Sequence, residues 1–128
     1  MLDHVGLEVS DYRRAREFYE AALAPLGVRL LMELGDSAAG FGEETEYGPK
    51  PYFWIQARGR PVVRGAHVAF AAPDHETVDA FHAAALAAGA GDNGAPGPRP
   101  IYHPHYYGAF VLDPDGNNVE AVCHRPVE

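Results

Sequence analysis

Asp3-His4-Val5-Gly6-Leu7-Glu8-Val9 and Ala66-His67-Val68-Ala69-Phe70-Ala71-Ala72 are two versions of one pattern. In the first, Val5, Leu7 and Val9 alternate with His4, Gly6 and Glu8; in the second, Val68 and Phe70 alternate with His67 and Ala69. Period two describes a strand with two different faces. The offset that matches His4 with His67 also matches Asp11 with Asp74, Phe18 with Phe81 and Leu23 with Leu86. An offset that persists beyond the strand marks a duplicated supersecondary unit. Two units are too few for a solenoid. They are expected to pair into one domain over residues 1–128, with modules at 1–58 and 64–126.

Each opening strand runs into a helix. Asp11 and Asp74 are N-cap residues, because a short carboxylate accepts from free amides of the first turn. Ala15, Phe18, Tyr19, Ala22 and Leu23 then recur at helical spacing, as do Val78, Phe81, Ala85 and Leu86. Pro25 with Gly27 ends the first helix, and Gly89 with Gly91 ends the second. Strand-like pieces follow at Val28–Leu34, Ser37–Phe41 and Pro51–Ala57, then at Tyr106–Leu112 and Asn117–His124, with a weaker piece near Pro100–His103. Residues 91–100, rich in Gly and Pro, read as a loop. Asp113-Pro114-Asp115-Gly116 reads as a turn between the last two strands, and Arg58 to Val63 as the connection between modules. The predicted class is α+β, with the order β-α-β-β-β twice.

Composition narrows the function. The formal net charge of −8 argues against nucleic acid, which needs a basic face. No apolar run reaches the length of a membrane span, and the strand-like N-terminus does not resemble a secretory leader. Cys123 is the single cysteine, so an internal disulfide and a cysteine-based zinc site are both excluded. A cytoplasmic location is the default expectation.

The repeat also singles out polar side chains. His4 and His67 occupy equivalent positions. Near the module ends, Gln56 shares a strand face with Tyr52 and Trp54, and Glu120 alternates with Val119 and Ala121. If related faces meet, His4, His67 and Glu120 form a divalent metal site, with Gln56 as a fourth position. Two neutral imidazoles and a carboxylate suit Zn, Fe, Mn, Ni or Co, and an open position is what catalysis requires. A lone histidine on a strand is more often structural, and the chain has seven; the internal symmetry is what distinguishes these two. Tyr52, Trp54, His103, Tyr106 and Tyr107 are candidates for the walls of a substrate pocket, aromatic bodies with polar tips. Packing explains them as well. Glu8 reads as a solvated charge or as a partner of the ligands.

Beyond these residues, the chain resembles the vicinal-oxygen-chelate superfamily, which includes glyoxalase I, extradiol dioxygenases, fosfomycin-modifying enzymes and bleomycin-binding proteins. The resemblance lies in Asp3-His4-Val5 with Arg14-Ala15-Arg16-Glu17-Phe18-Tyr19, and in Phe110-Val111-Leu112-Asp113-Pro114-Asp115-Gly116-Asn117-Asn118-Val119-Glu120. It implies two βαβββ modules whose sheets form a cupped, open mixed β-barrel with helices outside. It also implies metal ligands at His4, Gln56, His67 and Glu120, and a small substrate held through neighbouring oxygens. In a glyoxalase-like reaction Glu120 would move the proton. Glyoxalase I-like members carry a carboxylate where this chain has Gln56, and extradiol members a tyrosine where it has Phe110. Lyase/isomerase and dioxygenase chemistry both stay open. So does a metal-free drug- or metabolite-binding protein of the bleomycin-resistance type. Homodimers are common in the family.

Overall fold

The computed structural model describes residues 1–126. The first half contains β1 (Val5–Glu8), α1 (Tyr12–Leu23), a short 3-10 turn (Ala24–Leu26), β2 (Arg29–Leu34), β3 (Ala38–Thr45) and β4 (Gly48–Gln56). The second contains β5 (His67–Ala71), α2 (His75–Ala87), β6 (Gly91–Pro98), β7 (Tyr107–Leu112) and β8 (Asn118–Cys123). Each half builds its own four-stranded mixed sheet, in the orders β1-β4-β3-β2 and β5-β8-β7-β6. In each, the opening strand runs parallel to the closing strand and the rest is antiparallel. The fold is α+β, with the order βαβββ in each half. Its two sheets remain separate hydrogen-bonded units rather than one closed barrel.

Both helices start as their caps dictate. Asp11 accepts from the Arg14 amide at 3.1 Å and Asp74 from the Thr77 amide at 2.8 Å. Each such cap contributes about 1 kcal/mol. Gly27 closes the first helical segment at φ 75°, a left-handed conformation that favours glycine. Ala15, Phe18, Tyr19, Ala22 and Leu23 are all buried, as their spacing predicts. In α2, Val78, Phe81 and Ala85 are buried, whereas Leu86 is left exposed.

One core joins the halves. The Tyr19 ring meets Phe53 edge-on at 4.9 Å, and Phe53 meets Phe70 edge-on at 5.3 Å. Edge-to-face pairs add about 0.5–1.5 kcal/mol beyond their burial. The helices α1 and α2 also touch each other.

Two polar clamps hold the junction. Asn117 is fully buried; its side-chain amide donates to the Val63 carbonyl at 3.0 Å, and its carbonyl accepts from the Ala66 amide at 3.0 Å. Asp113 accepts from the Tyr19 hydroxyl, and Asp115 from the Ser10 amide at 3.0 Å. The Asp113–Asn117 turn therefore ties the last strand pair to both halves. Glu8 is the second clamp. It is buried, and its Oε2 accepts from the backbone amides of Arg58 and Arg60 at 2.6 and 3.2 Å. The solvated charge or ligand partner expected there is instead a carboxylate that shapes the connection between halves.

Residues 91–98 correct a second expectation. They form β6 rather than a loop, pairing with β7 through register irregularities at Asp92/Gly94 and Gly94/Gly97. Pro96 and Pro98 are tolerated because β6 lies at the sheet edge, where a missing N–H interrupts no inner ladder. The weaker strand near Pro100–His103 is a turn. Among the described residues, no helix is long and apolar enough to cross a membrane.

Candidate functional site

Strand register decides which side chains meet. In the second half, His67 lies opposite Asn118 and Ala69 opposite Glu120. The imidazole therefore reaches along its strand to a carboxylate on the neighbouring one. His67 Nε2 lies 2.8 Å from Glu120 Oε1. The Tyr106 hydroxyl donates to the other oxygen, Oε2. With the carboxylate ionised, Nε2 is the donor to Oε1.

Burial makes this pair unusual. The side chain of Glu120 is 1% exposed, while that of His67 is 52% exposed. A buried carboxylate costs several kcal/mol unless paired and hydrogen-bonded. Glu120 meets that condition with one imidazole and one phenol. The Tyr106 phenol is pushed upward by burial and by the Glu120 carboxylate, so it remains a protonated donor throughout the neutral range. Gly108 leaves the room both need. A Cβ there would sit 3.0 Å from the Tyr106 ring and 3.2 Å from Glu120 Oε2.

His67, Tyr102, Tyr106, Phe110 and Glu120 line a cavity of about 390 Å³. Tyr102 packs on Tyr106 with centroids 5.1 Å apart, and the Arg99 guanidinium lies 5.4 Å from the Phe110 ring centre. Aromatic walls around one buried carboxylate suit a small ligand that offers a hydrogen-bond donor or a cation. Tyr102 belongs to the aromatic run 102–107 that the sequence offers as a pocket border, whereas Phe110 is not a pocket candidate there. Phe110 was discoverable, because antiparallel pairing across the Asp113–Gly116 turn sets it directly opposite Glu120.

The other candidates fall elsewhere. His4 is exposed, donates from Nδ1 to the Asp3 carboxylate at 2.7 Å, and lines a separate cavity of about 230 Å³ with Tyr52, Phe53, Val68 and Phe70. Tyr52 donates to Glu43. His103 packs against His105 and His124. Tyr107 turns to α2, stacking on His75 at 3.8 Å and donating to Asp79 at 2.7 Å. A further cavity, about 660 Å³ beside Ser10, Arg16 and Glu33, shares no residue with the cavities that His4 and His67 line.

Gln56 requires a correction. Gly6 is the repeat partner of Ala69, and it pairs with Trp54, as Ala69 pairs with Glu120. The residue equivalent to Glu120 is therefore Trp54. Gln56 pairs with Glu8 and rests against Gly6, two residues beyond. Period two keeps both residues on one face, so alternation alone could not separate them.

These residues pass a chemical test for a divalent ion in part. An imidazole and an ionised carboxylate are suitable donors, and His67 leaves the pair open to solvent. Two ligands are too few. Among the described residues, no group of three His, Cys, Asp or Glu side chains is placed to hold one metal ion.

Comparison with known proteins follows the same outline. The family model described as the Glyoxalase/Bleomycin resistance protein/Dioxygenase superfamily matches residues 1–121. A glyoxalase/bleomycin resistance protein from Albidiferax ferrireducens is 32% identical, with a TM-score of 0.76 over 96% of this chain and 97% of that one. A variant of glyoxalase I from Zea mays is 27% identical, with a TM-score of 0.66 over 94% of this chain and 46% of that one. Lactoylglutathione lyase from Agrobacterium tumefaciens, 20% identical with a TM-score of 0.64 over 94% of this chain and 90% of that one, shares the fold. Among curated proteins, none matches the chain.

Proposed function

The chain belongs to the glyoxalase/bleomycin resistance protein/dioxygenase superfamily, and from that premise we propose that it is a divalent-metal-dependent enzyme acting on a small molecule with two neighbouring oxygens. The observation that carries the proposal is the pair His67 Nε2–Glu120 Oε1 at 2.8 Å, with the carboxylate buried and the imidazole open. His67 and Glu120 would hold the ion, and His4 would complete the set. His4 lines a different cavity in its own chain. The proposal therefore includes a homodimer in which a second copy brings its His4 to the pair. The sheet face that carries Trp54 is open to such a partner; Met32 and Leu34 on β2 are 45% and 47% exposed.

A divalent ion bound there supplies Lewis acidity toward the vicinal oxygens of the substrate. The chain's own groups do the rest. Glu120 is the one carboxylate at a ligand position, so any proton moved beside the ion passes through it. Tyr102, Tyr106 and Phe110 wall the carboxylate from bulk water, which strengthens charge interactions at the site. Trp54, in the equivalent position of the first half, can neither ligate nor accept a proton. The resulting set of two imidazoles and one carboxylate is that of open non-haem iron sites, which favours the dioxygenase type over a glyoxalase with two carboxylates.

A second reading has its own support. Both oxygens of Glu120 are already hydrogen-bonded inside the chain. A metal-free protein that binds a drug or metabolite needs no more than that, and the net charge of −8 favours cationic ligands. Metal analysis of protein purified without chelating resin separates the two. Stoichiometric metal that disappears in His67→Ala is expected. Metal-free protein that takes up no added divalent ion would sink the enzyme reading. Turnover of a catechol against a hemithioacetal then divides the reaction types.

A further inference from the structure

We infer that Tyr106 is a positioning residue that holds Glu120 in the one orientation presenting Oε1 beside His67. The consequence for metal affinity rests on the metal-site reading above; the geometric claim stands without it.

Glutamate is a flexible side chain, and fixing it costs about 1.5–2 kcal/mol of rotamer entropy. Two hydrogen bonds pin Glu120, one at each oxygen. The His67 partner is half exposed, so it is the looser of the two. The Tyr106 partner is held firmly. Its amide donates to the His103 carbonyl at 3.1 Å, and its carbonyl accepts from the Arg99 amide at 2.8 Å. The ring is wedged between Tyr102 and His124, each 5.1 Å away between ring centres. Gly108 keeps the space between ring and carboxylate free. A tight turn, a wedged ring and a glycine therefore converge on one hydroxyl and one carboxylate oxygen. Without that hydroxyl, Oε2 is a buried acceptor with no partner, and the side chain gains by turning away.

Tyr106→Phe removes the hydroxyl and keeps the ring. Two readouts apply, with Tyr107→Phe as the control, since that hydroxyl bonds Asp79 instead. The first is the crystal structure of the metal-free variant. Glu120 is expected to leave its position beside His67 Nε2 or to spread over several rotamers. Glu120 unmoved overturns the inference. The second is zinc affinity measured by competition with a chromophoric chelator. Loss of a partner that orients a ligand weakens binding by about 10–100-fold, and that loss is expected in Tyr106→Phe but not in Tyr107→Phe. Equal affinities for Tyr106→Phe and wild type overturn it. Should wild-type protein bind no zinc, the metal reading fails, and the crystallographic comparison still decides the role of Tyr106. If Tyr106→Phe does not fold, Tyr106→Met replaces it, an adaptable apolar side chain that also lacks the hydroxyl. The same Glu120 movement is then expected, and an unmoved carboxylate overturns the inference.

Discussion

The two halves share their strand order, their helix caps and their parallel pairing of first and last strands, yet they differ at one register position. Where β4 presents Trp54 opposite Gly6, β8 presents Glu120 opposite Ala69. The neighbouring strand compensates in each case. Gly40 lies opposite Trp54, and a Cβ there would come within 2.8 Å of the indole. Phe110 lies opposite Glu120. The first pair sets a glycine against an indole and the second a phenyl ring against a carboxylate, and such cross-strand pairs are the units that stabilise a sheet. Duplication copied the scaffold. The buried carboxylate, with a phenol and an imidazole gathered around it, stands in the second half only.

The largest test of that contrast is to substitute both positions. Glu120→Ala is expected to weaken divalent-metal binding more than about 100-fold, beyond what losing an outer partner costs, as read by isothermal titration. Trp54→Phe, which keeps a ring on the sheet face a partner would cover, should leave the affinity within about threefold, the size of an effect through packing alone. Equal losses would mean that the halves contribute alike, and the asymmetry drawn here would be broken.

A smaller effect sharpens where the halves join. Asn117 satisfies Val63, Ala66 and Asp113 from one buried amide. Asn117→Ala strands the Val63 carbonyl and the Ala66 amide, at roughly 1–3 kcal/mol for each buried group left unpaired. A drop of about 3 kcal/mol in urea unfolding is expected. A change below about 0.5 kcal/mol, the size of an ordinary surface substitution, would show that the clamp contributes little.

Much of this was readable from the residues alone, for definable reasons. Caps, helical spacing and the repeat depend on neighbours along the chain, so Asp11, Asp74 and the buried stripe of α1 are legible in the sequence. The repeat singles out His67 and Glu120, which meet across neighbouring strands. What escaped depends on register and packing. Trp54 and Gln56 share one face of one strand, and only the pairing of Gly6 with Trp54 selects between them. Glu8 reads as a surface charge until the chain from Arg58 to Arg60 folds over it. The strand at Gly91–Pro98 is hidden by glycine and proline, residues that an edge strand tolerates and an inner strand does not. His103 and Tyr107 lie beside Tyr106 in the chain, but the turn at 99–106 brings only Tyr106 to Glu120, while Tyr107 turns to His75 and Asp79.

The central claim is that one metal site draws His67 and Glu120 from one copy and His4 from another. Mixing two defective variants tests it most directly. His4→Ala and His67→Ala are each expected to bind zinc poorly alone. In a dimer of one of each, one site carries both substitutions and the other carries neither. After subunit exchange at equal amounts, half the dimers are mixed, so about a quarter of the sites should recover wild-type affinity. Recovery near that fraction is the predicted result. No recovery on mixing, from a wild-type protein that does bind zinc, would contradict the account, as would a His4→Ala protein that binds zinc as well as wild type.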